Sequence, residues 1–409
     1  MLPMRKIDTR SFVRATRSTP RDINRRIVLN LVRDHEPISR ADLARRMAVG
    51  RGMVTSLVAE LIADGSLYEG ATIDAPRGRR PQMLYVRTQD RLVVAVDVRF
   101  SKTYCMLTDF SGIPVAMETF DTTTDPDALV DKIVRHVRRL LRVNGGKGIC
   151  EGVGLVVPGM VHAATGTVLN APQLGWRNVD VRDRLAEALD LPVHVENAPI
   201  ACALAQMWLG QRGRNAPTNF VYVTVSDGVG AGVVVNGQVV RGETNTAGEF
   251  GHVPLSMTGP ECLCGSRGCL EAYTSNLATL TRYLGKEFSP ATARALIHSS
   301  GLSIVDVIAR ARSGERRAVE ALQATARYLG AGLAVIINTL SPGQIFVGGE
   351  IADAWDQLLP TIRAVIASRV LTESAAATPI VAESASTFPR LRGGTALVAA
   401  PLFAAPRIA

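Results

Sequence analysis

Four side chains that commonly bind zinc lie close together in a glycine-rich segment of the chain. They follow the spacing His-x9-Cys-x-Cys-x4-Cys and are His252, Cys262, Cys264 and Cys269. Gly265 and Gly268 allow the backbone to turn back tightly, so that thiolates can converge at about 2.3 Å from one metal ion. Three thiolates and one imidazole complete a tetrahedron and leave no open position for water or substrate. The spacing therefore predicts one structural Zn²⁺ per chain; reduced thiols in a glycine-rich loop are the alternative.

This segment also resembles the signature of a known family. The stretches GEFGH (residues 248–252) and CLCGSRGCLE (residues 262–271) resemble those of the ROK family, which comprises sugar kinases and sugar-responsive transcriptional repressors. Further family motifs follow in order from about residue 92, at residues 151–159, 191–197, 226–232 and 347–350. The resemblance implies an actin-like, ribonuclease-H-like pair of α/β lobes with a cleft between them.

Two departures from the kinases of this family weigh against phosphate transfer. ROK kinases have Asp-x-Gly-Gly-Thr where this chain has DVRFS at residues 97–101, so that Arg99 and Phe100 replace glycines that admit the phosphates of ATP. The family's catalytic base is the Asp after Glu-Asn, and this chain has Ala198 there. A methyl group cannot accept a proton, and loss of a general base typically slows a reaction about 100- to 10,000-fold. We therefore expect no kinase activity.

The sugar side of the cleft keeps more of the family pattern. Recognition of sugar hydroxyls needs rigidly held polar groups, because leaving a buried polar group unpaired is costly. The resemblance assigns sugar contacts to Gly159, Asn170, Asn197, Glu249, His252 and Glu271. Zinc at His252 would fix the turn so that the two carboxylates converge on the ligand. A helix-capping or surface carboxylate is the alternative for Glu249, and a turn residue is the alternative for Asn170.

The positive charge of the chain is concentrated at its N-terminal end. The formal net charge is +9, and residues 1–91 contain 18 basic and 10 acidic side chains, whereas the remainder has 28 and 27. Such an asymmetry suggests that the first domain binds a polyanion. On charge alone, a solvated basic face without a partner is the alternative.

Helical periodicity in this basic region favours DNA as the polyanion. Apolar spacing predicts helices over residues 22–33, 40–47 and 51–64; Pro37 ends the first and Ser39 can cap the second. The last two helices, joined by a short turn, form a helix-turn-helix whose final helix would enter the major groove.

A hairpin with an arginine-rich tip follows this predicted motif. Strands over residues 67–69 and 82–86 would form a wing whose tip suits the minor groove or the DNA backbone, with a solvated loop as the alternative. The layout resembles the winged-helix domain of ROK repressors, which the kinases lack. The predicted DNA contacts are Ser39, Arg40, Arg51, Met53, Thr55, Ser56, Arg77, Arg79 and Arg80.

These patterns predict an α/β chain with an N-terminal winged helix-turn-helix and a two-lobed ROK domain. The expected boundaries are a flexible basic tail over residues 1–20, the winged helix over 21–87 and the sugar-sensing domain over 92–409, with its zinc loop at 249–271. Apolar runs are too short for a membrane span or a signal peptide, so we expect a cytoplasmic protein.

The predicted function is a sugar-responsive transcriptional regulator that acts as a repressor. Its expected partners are double-stranded operator DNA and a small sugar or sugar phosphate, and its expected assembly is a homodimer or a dimer of dimers. A sugar kinase with an appended DNA-binding domain, and a regulator that has lost its sugar effector, are the alternatives.

Overall fold

A computed structural model describes residues 16–72, 82–210, 216–299 and 301–404. These residues divide into two compact units, one of residues 16–91 together with 399–404 and the other of residues 92–398. Within the described residues, no helix combines the length and the apolar character needed to cross a membrane.

The first unit is a three-helix core with a small antiparallel sheet. Its elements are α1 (Thr19–His35), β1 (Ile38–Ser39), α2 (Arg40–Met47), α3 (Arg51–Ala63), β2 (Leu67–Thr72) and β3 (Gln82–Val86). The sheet has the order β1-β3-β2, and Leu67 on β2 pairs with Val86 on β3. Helix α2 starts where predicted because the Ser39 Oγ accepts a hydrogen bond from the Asp42 backbone amide at 3.2 Å.

Apolar faces of the three helices meet in the centre of this unit. The fully or nearly fully buried residues include Val28, Leu29, Val32, Leu43, Val54, Leu57, Val58, Leu61 and Leu84. The residues on α1 and α3 recur at helical spacing, so each of these helices contributes one continuous apolar face. The opposite face of α3, beginning at Arg51, is left exposed.

The first lobe of the second unit is built on a five-stranded sheet of order β11-β7-β4-β5-β6. A smaller sheet of order β10-β9-β8 accompanies it. The elements are β4 (Arg91–Val98), β5 (Lys102–Asp109), β6 (Pro114–Asp121), α4 (Pro126–Asn144), β7 (Ile149–Val157), β8 (Met160–Val161), β9 (Val168–Ala171), β10 (Trp176–Val179), α5 (Arg182–Leu189) and β11 (Val193–Asn197). Helix α6 (Ala198–Leu209) follows β11, and its Cys202 and Ala203 pack against strands of the second lobe.

The second lobe repeats this plan with a sheet of order β14-β13-β12-β15-β16. In each lobe three consecutive strands lie side by side, and two later strands extend the sheet beyond the first of them. The elements are β12 (Phe220–Val225), β13 (Val229–Val235), β14 (Gln238–Val239), α7 (Glu271–Thr274), α8 (Asn276–Tyr283), α9 (Pro290–Ser299), α10 (Ile304–Arg312), α11 (Arg316–Leu340), β15 (Gln344–Gly348), α12 (Trp355–Ala367), α13 (Glu373–Ala376) and β16 (Ile380–Ala382). Helix α14 (Pro389–Phe403) follows, and its Leu391 packs with Ala95 on β4 and Met106 on β5 of the first lobe.

Each lobe has its own apolar core, which holds its strand ends in place. Leu155 on β7 and Val195 on β11 belong to the core of the first lobe, and Val223 on β12 and Val347 on β15 belong to that of the second. Since strand positions are fixed by these cores, the loops that leave the strand ends are held at defined positions as well.

Candidate functional site

A cavity of about 220 Å³ lies between the two lobes of the second unit. The first lobe contributes residues at the ends of β7, β9 and β11 to its wall. The second lobe contributes the turn between β12 and β13, residues of the segment 249–271 and the residues that follow β15. Cavities for drug-sized ligands typically measure about 300–1,000 Å³, so this one suits a single small molecule.

Asn197 reaches the cavity from the junction of β11 and α6. It is the N-cap of α6, and its Oδ1 accepts a hydrogen bond from the Ile200 backbone amide at 3.1 Å. This bond satisfies one of the amides that a helix start leaves unpaired. Ala198 follows in the first turn and also lines the cavity, so a methyl group stands beside Asn197.

Two carboxyl groups and an imidazole line the cavity on the second lobe. Glu271 begins α7, and its Oε2 accepts a hydrogen bond from the Val229 backbone amide at 2.8 Å. Glu249 Oε2 lies 3.8 Å from His252 Nε2. Burial raises the pKa of both Glu249 and Glu271, because a carboxylate loses hydration there. The three groups offer closely spaced hydrogen-bond partners for a polar ligand.

His252 and three cysteines form a tight cluster next to these carboxyl groups. One potential ligand atom from each of His252, Cys262, Cys264 and Cys269 lies within 4.8 Å of the others. His252 Nδ1 is 3.8 Å from Cys262 Sγ, and the Sγ atoms of Cys264 and Cys269 are also 3.8 Å apart. Sulfur ligands at about 2.3 Å from a tetrahedral zinc are separated by about 3.8 Å. The cluster therefore has the donor types and the spacing that bind a metal ion.

Arg99 joins the two lobes at another part of the cavity wall. Its Nε is 2.7 Å from Asp97 Oδ2 in the first lobe, and its Nη1 is 2.7 Å from Glu350 Oε1 in the second. Glu350 Oε2 accepts further hydrogen bonds from Ser226 Oγ at 2.8 Å and from Asn276 Nδ2 at 2.9 Å. Arg99 is thus a side chain bound to both lobes.

The charges in this network stabilise one another. Although burial opposes it, the Asp97 and Glu350 carboxylates raise the pKa of Arg99. Burial likewise disfavours the charged form of Glu350, but the Arg99 charge and the Ser226 hydrogen bond lower its pKa overall. A second arginine, Arg390 in the first turn of α14, has its Nη2 2.7 Å from Asp97 Oδ1. Both arginines are therefore held as cations in ion pairs.

Comparison with known proteins decides the family. The ROK family model matches residues 93–400 of the chain. The chain belongs to the ROK family. The xylose repressor of Bacillus subtilis is 29% identical over 356 residues, which cover 86% of this ROK chain and 88% of the repressor. The glucokinase of Streptomyces coelicolor is 31% identical over 279 residues, 66% of this chain and 86% of the kinase.

A solved structure is similar over almost the whole ROK chain. It is a ROK family transcriptional regulator described as a homologue of the Escherichia coli MLC protein. The TM-score is 0.77 at 26% sequence identity, and the match covers 94% of this chain and 97% of the other. The predicted fold class, a winged helix-turn-helix followed by an actin-like pair of lobes, is confirmed.

All six predicted sugar contacts of this ROK domain line the one cavity. Gly159 follows β7, and Asn170 lies on β9. With Asn197 these form the wall of the first lobe, and Glu249, His252 and Glu271 belong to the wall of the second. Trp176 is buried and donates its Nε1–H to the Thr124 carbonyl at 2.6 Å, so it packs in the core of the first lobe.

The predicted DNA contacts have different surroundings in the first unit. Arg51, Met53 and Thr55 are exposed at the start of α3. Ser56 is also exposed, but its Oγ accepts a hydrogen bond from Arg21 Nη2 at 2.8 Å.

Two further candidates have partners within the unit. Arg40 forms an ion pair with Glu69, at 2.5 Å. Ser39 is buried, and its hydroxyl caps α2, so it positions the motif and does not face outward. The wing-tip candidates Arg77, Arg79 and Arg80 lie outside the described residues.

Several cavity residues were not predicted from the sequence. Asp227, Glu350, Gln173 and Arg390 line the wall together with the predicted contacts. Glu350 had a signal, because a buried strand followed by two glycines and a carboxylate marks a strand end, and strand ends carry ligand sites in α/β folds. No sequence signal pointed to Arg390, because its partner Asp97 lies 293 residues earlier in the chain.

Proposed function

We propose that this chain is a DNA-binding transcriptional repressor of carbohydrate uptake or catabolism genes, released from its operator by a sugar bound in the cavity. The observation that carries the proposal is the extent of the similarity to the xylose repressor. That similarity spans 356 residues, whereas the ROK family match is confined to residues 93–400. The similarity therefore continues into the basic N-terminal unit. A DNA-binding unit is needed by a transcriptional regulator and is not needed for kinase activity.

The DNA contacts in this proposal come from the exposed start of α3. Arg51, Met53 and Thr55 would face the major groove, where an arginine can bind guanine with two hydrogen bonds. Arg40 and Ser56 stand at the border of this surface, and the wing arginines Arg77, Arg79 and Arg80 would neutralise phosphates. Because operators of this kind mirror protein symmetry, we propose a homodimer, or a dimer of dimers, on a palindromic site.

The ligand in this proposal is held by both lobes. Asn197, Asn170 and Gly159 would bind it from the first lobe, and Glu249, His252 and Glu271 from the second. A ligand changes DNA affinity only if it binds one conformation better than another. Contact with both lobes supplies such a difference, because a change in their separation changes the ligand's hydrogen bonds.

The metal in this proposal is a structural Zn²⁺ held by His252, Cys262, Cys264 and Cys269. Zinc coordination would fix the loop and would bind the imidazole through Nδ1, the ring nitrogen that lies 3.8 Å from Cys262 Sγ. The other ring nitrogen, Nε2, lies 3.8 Å from Glu249 Oε2, which is beyond hydrogen-bond distance, so it would remain available to a ligand in the cavity. The metal would thus support the sugar contacts without taking part in a reaction.

The chain is not a kinase in this proposal, although kinases share its fold. Ala198 offers no proton acceptor next to Asn197, and the Arg99 guanidinium is occupied by Asp97 and Glu350. Phosphoryl transfer needs a group that positions the nucleophile and cations that neutralise the phosphate oxygens. Ala198 cannot supply the first group, and Arg99, held by two carboxylates, is not free to supply the second charge.

Selection of operator DNA from a random library with the full-length protein tests this proposal. We expect a palindromic consensus, tight binding in the range of about 10⁻⁸–10⁻¹¹ M, and weakening by about 5- to 150-fold when the effector sugar is added. The release is measured by fluorescence anisotropy of labelled operator against a panel of pentoses and hexoses. Absence of a consensus, or ATP-dependent phosphorylation of a sugar from the panel, would contradict it.

A further inference from the structure

Both arginines in the cavity wall are already paired with carboxylates. Arg99 binds Asp97 and Glu350, each at 2.7 Å. Arg390 binds Asp97 at 2.7 Å and donates to the Val98 carbonyl at 3.2 Å. Asp97 itself is fully buried, so its two oxygens serve these arginines and do not reach solvent. The charge of the arginines is therefore balanced before any ligand arrives.

The remaining charged groups of the wall do not attract anions. Asp227, Glu249 and Glu271 are carboxyl groups, and a carboxyl group is neutral or negative at any pH. No lysine lines the described part of the cavity. His252 belongs to the cysteine cluster, and a Zn²⁺ ion bound to three thiolates and an imidazole would form a centre with negative net charge.

We propose that the cavity selects an uncharged sugar, and that Asp97 and Glu350 exclude phosphorylated sugars by occupying Arg99 and Arg390. This inference rests on the proposed function, since it names the chemical class of the effector. A phosphate group in the cavity would lose its hydration, find no unpaired cation and face several carboxyl groups. Like charges placed together repel each other, which gives discrimination by repulsion of the wrong ligand.

The first test compares each free sugar with its own phosphate on the full-length protein. The pairs are xylose with xylose 5-phosphate, glucose with glucose 6-phosphate, and N-acetylglucosamine with its 6-phosphate, measured by calorimetry and by operator release. We expect one free sugar to bind at least about tenfold more tightly than its phosphate. A phosphate that binds more tightly than its free sugar overturns the inference and leaves the proposed function intact. Operator binding that no sugar or phosphate changes overturns both.

The second test needs no knowledge of the effector, because its probe is inorganic phosphate. Glu350→Gln removes one carboxylate from Arg99 and should create a site that binds phosphate at least about tenfold more tightly than the unmodified protein does. Glu320→Gln is the control, since it breaks an exposed ion pair with Arg316 and should change nothing. Binding is followed by calorimetry, with the circular dichroism spectrum and the melting temperature as checks of folding.

Two outcomes of the phosphate titration contradict the inference. Unmodified protein that already binds phosphate as tightly as the Glu350→Gln variant shows that the arginines are not neutralised. A folded Glu350→Gln variant with no gain shows that Glu350 does not exclude the anion. If the variant fails to fold, the comparison of sugar pairs on the unmodified protein decides alone.

Discussion

Two glycines in the predicted zinc loop, residues 249–271, provide a matched pair of substitutions for testing the metal site. Gly265 and Gly268 both have positive φ, at 90° and 69°. A Cβ atom added at Gly268 would lie 1.7 Å from the Ser256 carbonyl oxygen, whereas one added at Gly265 would have nothing within 4 Å. Alanine at either position meets the same kind of backbone strain, and only alanine at Gly268 meets a clash.

The cost of each change can be estimated from this difference. The left-handed conformation costs a residue with a side chain about 1–2 kcal/mol, which applies to both variants. The clash at Gly268 is with the backbone, so no side-chain rotation relieves it, and overpacking adds about 1–3 kcal/mol. If the loop must keep its shape to bind zinc, Gly268→Ala should weaken zinc binding about 5- to 150-fold more than Gly265→Ala.

Competition with a chromophoric chelator measures this ratio directly on the full-length proteins. Elemental analysis of the unmodified protein should first find close to one zinc per chain. Equal zinc affinities for the two alanine variants would refute the argument, because they would show that the backbone contact at Ser256 does not shape the metal loop. A preparation that folds normally without any metal would refute the structural role of zinc itself.

Three further predictions concern the ligand, the chemistry and the DNA. Glu249→Gln should bind operator normally but no longer release it with sugar, because a neutral amide makes a weaker hydrogen bond to a hydroxyl; anisotropy titrations would show it, with the exposed Glu243→Gln as control. Ala198→Asp should still fail to phosphorylate sugars in a coupled ATP-turnover assay, because Arg99 keeps its two carboxylates. Arg51→Ala should lose about 1–3 kcal/mol of preference between operator and mutated operator in competition binding, because it removes a base contact.

Each of these three predictions has a result that contradicts it. Release of the Glu249→Gln protein at the same sugar concentration as the unmodified protein would remove that carboxylate from the ligand site. Sugar phosphate formed by Ala198→Asp would show that the missing base alone separates this chain from the kinases. An unchanged operator preference in Arg51→Ala would move the base contacts elsewhere on α3.

The sequence predicted those parts of the molecule whose determinants are local. Helix α2 was predicted over its full length, because Ser39 caps it within the sequence itself. The cysteine cluster was predicted because its three thiols lie within eight residues, so that any compact turn brings them together. The alternation of strands and helices after residue 92 also follows from local apolar patterns, which predict an α/β chain; the two-lobed arrangement was implied by the resemblance to the ROK family.

What the sequence did not predict depends on contacts between distant residues. Strand β1 has only two residues, and it exists because Ile38 pairs with Leu84 on β3. The hydroxyl of Ser56 is engaged by Arg21, 35 residues earlier. The ion pair of Arg390 with Asp97 needs α14 to pack near the end of β4. No local pattern encodes these partners, because they are brought together by the packing of whole elements.

The helix cap at Asn197 sets the direction of the hydrogen bonds that a ligand must make. Its carbonyl oxygen is used by the Ile200 amide, which leaves its NH₂ group, a pure donor, for the ligand. On the opposite wall, Glu249 and Glu271 offer carboxyl oxygens that accept hydrogen bonds. A ligand that spans the cavity must accept on one side and donate on the other. A hydroxyl can donate or accept by rotating its proton, so a polyol can hydrogen-bond to both walls. A carbonyl group only accepts and an ammonium group only donates, so each can hydrogen-bond to one wall only.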